Sequence, residues 1–80
     1  MEYIGQNIKC LRKSKGLTQE ELAKNIGVNR AMIGSYEENR AAPKLSVIQD
    51  IAYFFSISID NLIKLRVLPF VERKLKLLCK

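Results

Sequence analysis

An all-α fold of five short helices is what these 80 residues predict, and three observations carry the prediction. Apolar residues recur three and four positions apart along most of the chain, the spacing of one helix face. Residues that start and stop helices stand at the ends of those periodic runs. Strand-like alternation of useful length is missing, apart from the ambiguous stretch Phe55–Ile59. Apolar residues make up 48% of the chain, enough for one core near the lower size at which a single core stabilises a fold unaided.

The elements follow in order. Ile4, Ile8 and Leu11 share a helix face, so the first helix spans Ile4–Ser14. Lys9, Arg12 and Lys13 lie on its outer side, and Gly16 closes it. Thr18 is placed to cap a second helix starting near Gln19, and Glu21 three residues later completes a capping box. Glu20 and Glu21 also suit the positive end of that helix dipole. Leu22 and Ile26 lie four apart on its inner face. Gly27 ends it, because a residue without Cβ takes the left-handed turn that other residues resist. Asn29 caps a third helix, Arg30–Glu37, on which Ile33 and Tyr36 face inward and Met32 falls nearer the core than the surface. Asn39 stands where the chain must turn left-handed again. After the connector Ala41-Ala42-Pro43, Ser46 is expected to cap a fourth helix, Ser46–Phe55, with Ile48, Ile51, Ala52 and Phe55 inward. Ser58 caps a fifth, Ile59–Leu65, with Leu62 and Ile63 buried. Residues 1–65 thus read as one domain, and residues 66–80 as a basic amphipathic tail. In the tail, Val71, Leu75 and Leu78 recur at helical spacing after Pro69.

Charge and composition narrow the function. The net charge is +6 and the pI about 9.6, the electrostatic footprint of a nucleic-acid binder. Residues 1–44 carry eight basic and five acidic side chains, residues 45–65 one and two, and residues 66–80 five and one. Much of the basicity therefore sits in the tail. The chain has no histidine, which removes the usual zinc sets and the commonest general base. Its acids stand at helix starts or in expected pairs, so no enzyme chemistry, metal or cofactor is expected. Cys10 and Cys79 fit neither a disulfide framework nor a metal site and read as free thiols. No segment approaches the ~20 apolar residues that cross a bilayer, and the N-terminus lacks a signal peptide's apolar core. A cytoplasmic protein without a membrane role is expected.

The second and third helices carry the specific signal. Ala23 is small enough to let two helix axes approach, Gly27 turns the chain between them, and Leu22, Ile26, Val28, Ile33 and Tyr36 fill the angle. This spacing is that of a helix-turn-helix unit. The second helix of such a unit enters the major groove of double-stranded DNA, and residues near its N-terminus meet base edges. Projected away from Ile33 and Tyr36, the candidates for base contact are Asn29, Arg30, Ala31, Gly34 and Ser35. Arg30 alone has the reach and the paired donors that suit guanine.

Leu17–Glu37, with Pro43 and the run Leu45–Ile63, resembles the phage-repressor/Cro-like helix-turn-helix regulators. The resemblance covers roughly Ile4 to Leu65. It implies a repressor-like DNA-binding domain acting as a transcriptional regulator, usually a homodimer reading a two-fold operator. On that resemblance Gln19, assisted by Thr18, grips a phosphate at the start of the second helix. Arg40 and Lys44 occupy the family's basic loop, and Lys13 contributes from the first helix. Glu38 departs from the pattern by putting an acid into that loop. Arg12 and Glu37 match the family's ion pair between the first helix and the reading helix. Apolar residues left over late in the chain, Leu62, Leu65, Leu68, Val71 and Leu75, are assigned to dimerisation. The competing reading is a protein-interaction module, such as an antitoxin or anti-repressor, that acts on a partner protein through the tail.

Overall fold

The computed structural model describes residues 3–64. Five helices follow one another: α1 (Ile4–Ser14), α2 (Gln19–Ile26), α3 (Arg30–Glu37), α4 (Leu45–Phe55) and α5 (Ile59–Lys64). No strand occurs among the described residues. Leu65 and the tail residues assigned to dimerisation, Leu68, Val71 and Leu75, lie outside them.

Local chemistry sets most boundaries. The Thr18 hydroxyl accepts from the Glu21 N–H at 3.0 Å, and the Glu21 carboxylate accepts from the Thr18 N–H at 2.8 Å. These reciprocal bonds hold the Glu21 carboxyl below its ordinary value, the Thr18 backbone N–H being the largest cause. Gly27 ends α2 in the left-handed region at φ 84°. Asn29 starts α3 two residues later, its side-chain oxygen accepting from the Met32 N–H at 2.9 Å. Asn39 then turns left-handed at φ 60°, and the Ser58 hydroxyl caps α5 by accepting from the Asn61 N–H at 3.0 Å. Ser46 is not a cap. The Lys44 carbonyl already accepts from the Ile48 N–H at 2.9 Å, so α4 starts one residue early and encloses Ser46 in its first turn. Phe55–Ile59 is no strand either: Ser56 turns left-handed at φ 56° between α4 and α5.

One core joins all five helices. Ile8, Leu22, Ile33, Ile51 and Leu62 are completely buried, with Ile4, Ala23, Ile26, Tyr36, Ile48 and Ala52 around them. The tightest pairing is α2 with α3; α1 packs on α3 and α5, and α4 on α2 and α5. This arrangement corrects one dimerisation residue. Leu62 has no exposed surface, because α5 lays it against its own α1 and α4, so nothing of it is left for a twin subunit. Cys10 is buried and disulfide-bonded rather than a free thiol; the chain's other cysteine, Cys79, lies outside the described residues.

Two residues of α1 have roles that periodicity does not show. Asn7 is completely buried, and its amide donates to the Leu62 carbonyl at 2.7 Å, tying α1 to α5. Gly5 sits where α1 crosses the end of α3. A Cβ there would fall 2.3 Å from the Tyr36 carbonyl oxygen and 3.2 Å from that of Glu37. By contrast, a Cβ at Gly34 would meet only the Gln19 side chain, at 3.6 Å or more.

These two glycines should respond oppositely to the same substitution. Either alanine gains up to about 1 kcal/mol of helix propensity. At Gly5 that gain is outweighed by backbone that cannot move aside, and we expect net destabilisation of about 1–3 kcal/mol. At Gly34 the contact is ordinary, and alanine should stabilise by about 0.5–1 kcal/mol. Urea unfolding of Gly5→Ala and Gly34→Ala measures both; equal signs would contradict the packing described.

Candidate nucleic-acid interface

The geometry of the α2–α3 unit is anchored at one carboxylate. Glu37, at the end of α3, has a side chain only 2% exposed, and three donors from two other helices answer its charge. The Arg12 guanidinium donates from Nε to Oε2 at 2.6 Å and from Nη2 to Oε1 at 3.1 Å. The Gln19 amide donates to Oε1 at 3.0 Å. Arg12 also donates from Nη1 to the Leu17 carbonyl at 2.7 Å, which fixes the loop leading into α2. A forked guanidinium suits this bidentate task better than a lysine ammonium. With its donors engaged inside the protein, Arg12 is a positioning residue and not part of a DNA-facing surface.

That anchoring leaves the N-terminal half of α3 facing outward. Asn29, Arg30, Ala31 and Met32 are exposed and Ser35 is half-buried. Among the described residues Arg30 enters no ion pair, so its guanidinium is available. Asn29 is partly committed, since its side-chain oxygen caps the helix. Gly34 does not fit its expected role in base contact. It is buried, and the Gln19 side chain lies over it, between it and any base. Met32 departs from expectation the other way, being 38% exposed. Helical geometry puts it about 60° from Ser35 on the outer face, a signal the sequence did contain.

The residues expected to meet phosphates surround this face unevenly. Thr18 stands exposed at the start of α2, beside a half-buried Gln19 whose amide already donates to Glu37. Helix N-termini add backbone N–H groups and a positive dipole end suited to anions. Lys44 is exposed and Lys13 half-buried. Arg40 is exposed but paired, its Nε 3.1 Å from Glu38 Oε1, with both side chains more than 60% exposed. Such a pair contributes little to stability, but it offsets charge in the loop where the sequence pattern expects a cation.

No three-residue cluster of metal-ligating side chains occurs among the described residues, and no helix among them is long and apolar enough to cross a membrane.

Comparison with known proteins bears on this arrangement. The family model described as helix-turn-helix matches residues 8–62, more than half of the chain. An uncharacterized HTH-type transcriptional regulator of Bacillus subtilis, YazB, is 39% identical over 61 residues, covering 76% of this chain and 88% of the relative. The immunity repressor protein of Bacillus phage phi105 is 32% identical over 60 residues, 75% of this chain but 42% of the phage protein. The antitoxin PezA of Streptococcus pneumoniae is 35% identical over 60 residues, again 75% of this chain and 38% of the antitoxin. The chain thus spans less than half the length of these two larger relatives. No solved structure matches.

The three-helix junction predicts a strong coupling. Removing one partner of a buried pair strands the other, so Arg12→Ala and Glu37→Ala should each cost about 3 kcal/mol or more. The double variant should lose less than the sum, with an interaction of at least ~0.5 kcal/mol. A double-mutant cycle in denaturant measures it; additive losses would mean that the two charges do not support each other.

Proposed function

Because this chain belongs to the helix-turn-helix family of DNA-binding transcriptional regulators of the phage-repressor type, we propose that it reads a two-fold operator in double-stranded DNA as a homodimer. The observation that carries this reading is the posture of α3. Its C-terminal end is locked to α1 and α2 through Glu37, and its capped N-terminal end presents Arg30, Ala31 and Ser35 outward. A helix held at one end and exposed at the other is what insertion into a major groove needs. In this reading Arg30 contacts a base. Thr18, Gln19 and the α2 N-terminus meet one phosphate, and Lys13, Arg40 and Lys44 meet others. One reading helix with one long side chain specifies few base pairs, so duplication by two-fold symmetry supplies the missing selectivity.

A second reading has one observation behind it, the similarity to an antitoxin. There the same body would act chiefly through a partner protein. Binding to duplex DNA by the chain alone separates the two.

Affinity for a duplex pool should fall with salt, log affinity against log salt having a slope of about −0.9 per phosphate neutralised. Absence of binding to any duplex at low salt would remove the regulator reading.

Single substitutions should then sort the contacts. Arg30→Ala should cost roughly 1–3 kcal/mol at the selected site and relax preference at one base pair per half-site. Lys44→Ala should weaken selected and random DNA alike. Glu38→Gln should strengthen both, by releasing Arg40 from its exposed pair. If Arg30→Ala weakens both equally, Arg30 is a phosphate ligand and not a reader.

A further inference from the structure

The outward face of α3 is more apolar than a reading surface built from hydrogen-bonding side chains. Large apolar side chains stand exposed at three described positions, Met32, Leu45 and Tyr53, and Met32 alone is on α3. Ala31 lies beside it and is also exposed.

The polar alternatives on this face are limited by what they already do. Reading adenine through an amide takes an acceptor and a donor together, and the Asn29 oxygen is occupied by the Met32 N–H at 2.9 Å. Gly34 has no side chain and is covered by Gln19. Arg30 supplies donors that suit guanine, and Ser35 serves any base. What remains to touch a base edge is a thioether and a methyl group.

Resting on the DNA-binding reading above, we propose that Met32, reinforced by Ala31, selects a thymine in each half-site by covering its C5-methyl group. Guanine, cytosine and adenine present donors and acceptors in the major groove; thymine alone adds an apolar group. A thioether laid on a polar edge strips water from it and returns no hydrogen bond, at a cost comparable to losing one. Laid on the thymine methyl, it buries apolar surface on both sides. Methionine's unbranched, polarizable chain lets it follow the methyl without fixing the helix position closely.

The test uses the full chain and duplexes selected from a random pool. Each thymine of the selected site is replaced in turn by deoxyuridine, which deletes the C5-methyl and leaves base pairing intact. We expect one thymine per half-site at which uracil weakens binding about fourfold, the effect of one buried methyl. In Met32→Ala that ratio should fall close to one, whereas Arg30→Ala should leave it unchanged. Met32 is exposed, so its alanine variant should melt like the parent, which thermal unfolding checks. Indifference to uracil at every thymine, or a ratio unaltered in Met32→Ala, overturns the thymine assignment while DNA binding stands. Failure to enrich any sequence overturns the DNA-binding reading and this assignment together.

Discussion

A carboxylate taken out of water has to be answered by donors, and in this domain the answer for Glu37 comes from α1 and α2 at once. Desolvating the charge is expensive, and its partners repay that cost only in good geometry. Arg12 and Gln19 must therefore arrive together, at a fixed separation, from two different helices. The apolar core beneath them, from Ile8 to Leu62, favours closeness without direction. The junction supplies direction, because a forked guanidinium accepts few orientations of its partner. In this way the angle of α3 against α2 becomes a property of three side chains as well as of packing.

The approach of α1 to α3 depends on what is missing. Gly5 leaves room for the Tyr36 and Glu37 carbonyls, and the same closeness brings Arg12 within reach of Glu37 further along α1. A glycine inside a helix weakens it by about 1 kcal/mol relative to alanine. Here that local loss is offset by a crossing that no other residue would permit. Gly34, equally helical, has no such reason, since only the flexible Gln19 side chain lies over it.

What could be read from the sequence and what could not divides along physical lines. The end of α1, both ends of α2 and the starts of α3 and α5 were legible because each is made by neighbours in sequence: Gly16, Thr18 with Glu21, Gly27, Asn29, and Ser58. The start of α4 was displaced because Lys44 holds cap geometry through its backbone, with no side-chain signature for Ser46 to be weighed against. Ser56 turns left-handed without being glycine or asparagine, and the apolar residues around it imitated a strand. The α2–α3 unit was legible from small and apolar residues in register, and the Arg12–Glu37 pair from family resemblance. The burial of Gly34 and the crossing at Gly5 depend on where a distant helix lies, which no local pattern encodes, whereas the outward turn of Met32 was legible in its helical spacing from Ser35. Asn7 left a faint trace, as a polar residue on the Ile4–Ile8–Leu11 stripe.

The bond from Asn7 to the Leu62 carbonyl has a mechanical consequence. Leu62 lies in α5, the last described helix, two residues before its final residue Lys64. Asn7 is thus a polar link between α5 and α1. Asn7 and Arg12 stand five residues apart on α1, about 7.5 Å of helix rise. One helix thus carries the tie to α5 near one end and the tie to α3 near the other. A shift of α5 would therefore be passed through α1, as by a lever, to the helix that faces outward.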